Sequence, residues 1–315
     1  MAERLGQALD EPVVQRLAII GCGLIGSSLL RVARRMNIAA TIAAADLSED
    51  VCARVRELKL ADEAHVDPAA AVRGADLIIL CVPVGANASV AEKIGPALSP
   101  GAIVSDVGSV KGAVFSAVAP FLPPGVHLIP AHPVAGTEQS GPDAGFATLF
   151  LNRWCILTPP ADVDPAALER LTKFWAAAGS NVEAMSSDHH DLVLAITSHV
   201  PHLIAYNIVG TAADLEEVTR SEVIKYSAGG FRDFTRIAAS DPIMWRDVFL
   251  ANKDAVLEIL GRFTEDLQAL SRAIRWGEGD KLEELFTRTR EIRRGVIDAG
   301  QETPEPDFGR QRRAP

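Results

Sequence analysis

Residues 16–26 read RLAIIGCGLIG. Leu17 to Ile20 form a short apolar run of the kind that becomes a buried strand. It runs straight into Gly21-Cys22-Gly23-Leu24-Ile25-Gly26, a GxGxxG. Residues 27–36 then place Leu29, Leu30 and Ala33 on one helical face and Arg31, Arg34 and Arg35 on the other. Residues 41–45 read as a second strand and end at Asp46, 20 positions after Gly26. Strand, glycines, helix, strand and acid in this order form a dinucleotide-binding unit. Gly21 permits the tight turn, Gly23 admits a pyrophosphate, and Gly26 lets helix and strand pack closely. The phosphates are expected on the amides of Leu24 and Ile25, at the positive end of the helix. Asp46 is expected to accept the ribose hydroxyls. Its charge repels a 2′-phosphate, and Leu47, Ser48 and Glu49 follow it with no arginine, so NAD is favoured and NADP stays open.

Outward from this unit the alternation continues. Residues 48–59 are helical, 76–81 form an apolar strand ending in Val82-Pro83, and 88–97 are helical. Residues 102–105 form a strand that leads to Ser109, and 111–121 are helical. Residues 126–129 form a strand leading into AHPVAGTE, residues 131–138, which places His132 at a strand's carboxyl end. Ligands of open α/β sheets bind outside those ends. A histidine there can exchange a proton near neutral pH. Val82, Pro83 and Ser109 face the same crevice as the glycine loop. The fold class is α/β: a doubly wound parallel (Rossmann-type) sheet domain over residues 1–186, a helical domain over 187–300, and a disordered tail over 301–315. The first residues, to about Val14, read as a loose arm.

From residue 187 the period is helical. Ser187-Asp188 can cap a helix that runs through His189, His190, His199 and His202 to Gly210, with a kink at Pro201. Residues 217–226 are helical, Gly229-Gly230 break the chain, and 231–238 form a short helix. Asp241-Pro242 start one long helix to Trp276, about 50 Å at about 1.5 Å per residue. Asp280 to Glu283 resemble a capping box for a last helix to about Ile297.

Composition narrows the function. Acidic residues number 41 and basic residues 31, a formal charge of -10. No basic block marks a nucleic-acid partner. The N-terminus lacks the apolar core of a signal peptide, and the apolar run at 17–30 is too short for a membrane span. The chain reads as cytoplasmic. The four cysteines are scattered, small buried thiols. A zinc pair at His199 and His202 lacks a third ligand at suitable spacing, so no metal is expected. His189 and His190 read as surface or cap residues. Trp245 divides evenly between core anchor and substrate contact.

Several motifs together resemble the prephenate/arogenate (cyclohexadienyl) dehydrogenase family of tyrosine biosynthesis. They are GCGLIGSSL, DVGSVKG at 106–112, HPVAGTE at 132–138, SHVPH at 198–202, GGFRDFTRIA at 229–238 and DPIMWRD at 241–247. The resemblance spans roughly residues 15–300. It implies oxidative decarboxylation of a cyclohexadiene: hydride passes to the nicotinamide, CO2 leaves, and the ring becomes aromatic. His132 corresponds to the family's catalytic histidine, and Ser109 to the serine on the same hydroxyl. Arg236 corresponds to the arginine that holds a substrate carboxylate, with Asp233 placed to orient it. His202 corresponds to a histidine near the substrate side chain. Glu138 lies where a carboxylate would pair with the ammonium of arogenate. Arg232 stands where some relatives carry lysine, as a gate or anion contact. The resemblance also implies a homodimer through the helical domain and inhibition by tyrosine at the active site. A β-hydroxyacid or imine reductase, and a non-catalytic dinucleotide sensor, are the alternatives.

Overall fold

A computed structural model describes residues 5–137, 139–214 and 229–298. Its sheet contains β1 (Val14–Ile20), β2 (Ala39–Ala45), β3 (Glu63–His65), β4 (Leu77–Leu80), β5 (Ile103–Asp106) and β6 (His127–Leu128). The order is β3-β2-β1-β4-β5-β6, and every pairing is parallel. The order reverses between β1 and β4, and a doubly wound sheet opens its ligand crevice at that switch point. The short edge strand β3 escapes the sequence reading, since three residues carry no period.

The central strands are apolar on both sides because helices cover both faces. Leu17, Ile19, Leu77 and Ile79 pack towards α1 (Leu24–Arg35), with Leu29 and Leu30 fully buried. Ala18, Ile20, Ile78 and Val104 pack towards α3 (Pro68–Val72), α4 (Asn87–Ile94) and α5 (Lys111–Val118). α2 (Glu49–Glu57) starts at Ser48, whose hydroxyl accepts from Val51 N. The N-terminal arm is docked, not loose: Leu5 is buried, Leu9 N donates to Met36 O, and Asn37 Nδ2 donates to Leu9 O.

His132 does not end a strand of the main sheet. Ile129 N still bonds Val104 O. Then Pro130, which has no N–H to donate, interrupts the ladder. The chain enters a second sheet, where β7 (Ala131–Pro133) pairs antiparallel with β8 (Trp154–Leu157), and β8 pairs parallel with β9 (Asn181–Ala184). His132 lies opposite Ile156 within it. α6 (Pro165–Ala177), capped by Asp164, packs beneath with Phe174 and Trp175 buried.

Beyond β9, Ser186 and not Ser187 caps α7 (Ser187–Leu194), its hydroxyl accepting from His189 N. A π-helical turn (Ala195–His199) joins α7 to α8 (Val200–Asp214). That turn stands where Pro201 withholds its amide. The run Ser187–Asp214 is long and apolar enough to cross a membrane by length and composition. It carries the fully buried His190 and His199, and α7 packs against α5. The expected helix at 217–226 and the tail at 301–315 lie outside the described residues.

Gly229-Gly230 are helical instead of breaking the chain. They belong to α9 (Gly229–Thr235), which passes into a 3-10 turn (Arg236–Ala239). The long helix expected from Asp241 is two helices. α10 (Pro242–Ala251), capped by Asp241, ends at Asn252, and α11 (Lys253–Trp276) follows. Asn252 leaves helical geometry at φ −109, ψ 31, and its side chain is drawn to His199 and the Asp191 carbonyl. The last helix, α12 (Gly279–Asp298), starts at Gly279, just ahead of the expected box.

By compactness the chain divides into two units, Met1–Val256 and Leu257–Pro315. The first extends beyond the change of period at residue 187 because α7 packs on α5. The second exposes Leu257, Leu267, Ile274, Trp276, Phe286 and Ile292.

Candidate active site

A cleft of about 320 Å³ opens at the switch point. Gly21, Gly23, Asp46, Val82 and Pro83 line it, with apolar walls from Leu47, Val66, Pro68 and Val90. Gly21 takes φ +96, and a Cβ there would lie 2.4 Å from the Cys81 carbonyl. A Cβ on Gly26 would lie 1.9 Å from the Gly21 carbonyl. Both glycines are demanded by the chain's own packing. Gly23 is different: a Cβ there meets nothing within 4 Å. Gly23 also begins α1 with no side-chain cap, so the first-turn amides, those of Leu24 and Ile25 among them, stay open to an anion. The space at Gly23 is therefore space for a ligand. Leu24 is itself buried, so neither it nor Gly26 presents a side chain to the cleft.

Asp46 closes the turn as well as facing the cleft. One oxygen accepts from Cys22 N at 2.9 Å and the other from Ser48 N at 3.0 Å. Each carboxylate oxygen has a second lone pair, which leaves acceptors for a diol. The residues fit a dinucleotide: open amides for phosphates, apolar walls for a base, a carboxylate for a ribose. Burial, with Asp46 and Cys52 nearby, pushes the Cys22 thiol up to about 12, so it is an inert packing group.

Beside the cleft, β5 ends in Asp106. Both its oxygens are engaged: Oδ2 by Gly108 N (2.7 Å) and Lys111 Nζ, Oδ1 by Ala131 N (3.2 Å). Lys111 Nζ also donates to the Ala131 carbonyl at 2.8 Å. The pair thus clamps the loop that carries Ser109 at one end and the residue before His132 at the other. Burial raises the Asp106 pKa and lowers that of Lys111, each opposed by the other's charge.

His132 is buried, and its Nδ1 lies 2.9 Å from His190 Nε2, the rings meeting edge to face. His190 Nδ1 lies 2.8 Å from Asp191 Oδ1. Asp191 also accepts from the first amides of α5, Lys111 N at 2.8 Å and Gly112 N at 3.0 Å. Burial, then the charge of His190, holds the His132 pKa well below the usual 6.5. His190 is thus neither a surface nor a cap residue. Its burial comes from the packing of α7 on α5, which no local pattern signals.

His199 is fully buried, its Nδ1 3.1 Å from Asn252 Nδ2. Burial lowers its pKa to about 4, while the Ser109 backbone acts in the other direction. The Ser109 loop and His199 are therefore neighbours. His202 stacks on Trp245 at 3.7 Å between ring centres, and Trp245 packs with Val110 and Val248. Trp245 is buried in the core and carries His202 stacked on its face. Burial lowers the His202 pKa, and the charge of Arg236 lowers it further, which sets Arg236 near His202. Asp233 pairs with its neighbouring cation Arg232 at 3.3 Å on the surface. Glu138 lies outside the described residues. Among the described residues no group of three or more potential metal ligands gathers.

Residues 30–184 match the family model described as prephenate dehydrogenase, nucleotide-binding domain. Residues 186–288 match its companion, prephenate dehydrogenase, dimerization domain. The chain is 44% identical over 281 residues to the cyclohexadienyl dehydrogenase of Zymomonas mobilis, covering 89% of this chain and 96% of that protein. It resembles the crystal structure of prephenate dehydrogenase from A. aeolicus with hydroxyphenyl propionate and NAD+ at TM-score 0.83 and 32% identity, covering 90% of this chain and 98% of that one. The arogenate dehydrogenase of Synechocystis follows at TM-score 0.77 and 28% identity, covering 90% and 100%.

Proposed function

This chain belongs to the prephenate dehydrogenase family, and from that premise we propose that it oxidatively decarboxylates prephenate, arogenate or both, giving 4-hydroxyphenylpyruvate or tyrosine. The observation that carries the reading is His132: buried, kept neutral, and clamped through Ala131 to Asp106 at the end of β5, beside the dinucleotide cleft. A neutral imidazole is an acceptor for the hydroxyl proton.

The first-turn amides of Leu24 and Ile25 and the carboxylate of Asp46 would hold NAD, which would supply the hydride acceptor. His132 receives the proton of the ring hydroxyl, and Ser109 holds the same hydroxyl. Arg236 binds a substrate carboxylate through its planar fork, and His202, stacked on Trp245, borders the side-chain end. Arg232 is an exposed cation and suits a gate. Glu138 sets the substrate preference by charge: a carboxylate attracts the ammonium of arogenate and does nothing for the keto group of prephenate. Residues 1–186 form the cofactor domain, 187–300 the substrate and dimerisation domain of a cytoplasmic homodimer, and tyrosine competes at the same site.

The test is steady-state turnover of prephenate and of arogenate with NAD and with NADP. NADH absorbance and an aromatic product are expected with at least one substrate. Lys93 lines the cleft rim and is a cation that a 2′-phosphate would meet, so both cofactors belong in the comparison. Binding of a dinucleotide without turnover of either substrate would favour a sensor.

A further inference from the structure

We propose that His190 and Asp191 are positioning residues that fix the tautomer of His132, leaving Nε2 as the nitrogen that receives the substrate proton. This rests on the functional reading above and adds to it a relay of hydrogen-bond roles.

The roles follow in order from Asp191. Burial raises its pKa, but the bonds from His190 and from the amides of Lys111 and Gly112 outweigh that and leave it lowered. It is therefore an ionised carboxylate, which only accepts. Its place at the start of α5 favours the negative charge. His190 Nδ1, 2.8 Å from Asp191 Oδ1, must then carry a hydrogen. Burial lowers the His190 pKa despite that carboxylate, so His190 is neutral and has no second hydrogen. Its Nε2 is an acceptor. His132 Nδ1, 2.9 Å away, must donate. A neutral His132 has then used its one hydrogen, and Nε2 keeps its lone pair.

The opposite tautomer would set two lone pairs against each other across a buried contact of 2.9 Å, too short to admit a water between them. The arrangement has a second effect. When Nε2 accepts the proton, the imidazolium stays bonded through His190 to a fixed negative charge. The logic is that of a histidine oriented by a carboxylate in a catalytic triad, lengthened by one imidazole. Asn252 joins the same assembly, since its amide donates to the Asp191 carbonyl at 2.8 Å and meets His199 Nδ1.

The experiment uses the full chain labelled with 15N-histidine, with the His132 resonances assigned by their loss in His132→Asn. A long-range 15N–1H correlation spectrum at pH 7.5 is expected to give His132 with Nδ1 protonated and Nε2 bare. His190→Phe removes the acceptor, and the pattern is expected to move towards the Nε2–H form. Its kcat is expected to fall about 100-fold or more, by analogy with wrong-tautomer variants of catalytic triads. KM should change less than about threefold, since substrate contacts are untouched. His190→Gln offers a carbonyl to Nδ1 and is expected to recover kcat to within about tenfold of wild type. An Nε2–H tautomer in the wild type overturns the proposal, and so does a His190→Phe enzyme with unchanged kcat. The tautomer is read without turnover. Inactivity on both substrates would sink the functional reading and leave the relay to stand or fall on the spectrum.

Discussion

Lys111 Nζ lies 2.5 Å from Asp106 Oδ2, and neither side chain meets solvent. Through this pair the end of β5, the start of α5 and the residue before His132 are held as one piece. Removing one partner of a buried pair leaves the other charge uncompensated. Lys111→Met is expected to destabilise the protein by about 3–5 kcal/mol, read as a large fall in Tm by circular dichroism. Lys111→Met with Asp106→Asn should recover part of it. An unchanged Tm in the single variant would mean that the clamp does not hold the site.

The glycines of the cofactor loop separate into two kinds. Gly26→Ala puts a methyl group 1.9 Å from a backbone oxygen and is expected to lower Tm sharply as well as dinucleotide binding. Gly23→Ala meets nothing within 4 Å in the protein. It should fold like wild type yet lose at least about tenfold in dinucleotide affinity, a cost of about 1.4 kcal/mol. A Gly23→Ala protein that binds NAD normally, by fluorescence titration, would place the phosphates elsewhere.

His132→Asn removes the proton acceptor and leaves the cofactor cleft intact. Loss of general-base catalysis lowers kcat by roughly 10²–10⁴. Affinity for NAD should stay within about twofold, because no cofactor contact is lost. Equal losses of turnover and NAD affinity would point to a role in folding.

Arg236→Gln is expected to act mainly on KM. A hydrogen-bonded charge contributes about 1.5–3 kcal/mol, so a rise of about 10- to 100-fold follows, with kcat changed much less. An unchanged KM for both substrates would take Arg236 out of the binding site.

Stability should weaken as the medium is acidified. His132, His190, His199 and His202 all titrate below the usual 6.5, chiefly because they are buried, and His199 is lowered to about 4. Between those values the unfolded chain binds more protons than the folded one. The stabilisation is therefore complete above pH 6.5 and is lost as pH falls towards about 4. Urea midpoints at pH 7.5, 6.0 and 5.0 test this, and a constant midpoint would contradict the burial of these rings.

Much of the site was legible in the sequence because its chemistry is local. Residues 16–46 carry their own instructions: two apolar strands, three spaced glycines of which two admit no Cβ, and an acid 20 positions after the last of them. The glycine loop, Asp46, Val82 and Pro83 accordingly meet at one cleft. The partners of His132 were not legible. His190 and Asp191 are 58 and 59 positions away, and on α7 they look like polar residues of a helix's first turns. Lys111 opens a helix in the sequence, and nothing local marks its ammonium as lying between Asp106 and the Ala131 carbonyl. The break at Asn252 escaped for the same reason, since that residue obeys a histidine 53 positions earlier.

The sequence by itself determined the strand–helix alternation of the central sheet and the dinucleotide loop, because periodicity and steric demand act over a few neighbouring residues, and it singled out His132 through motifs that resemble the family's. Only the tertiary structure decided that His132 sits in a second sheet and is neutral. It also decided which residue His132 bonds through Nδ1. Those properties depend on which distant groups exclude water around the ring, and burial is settled when α7 packs on α5.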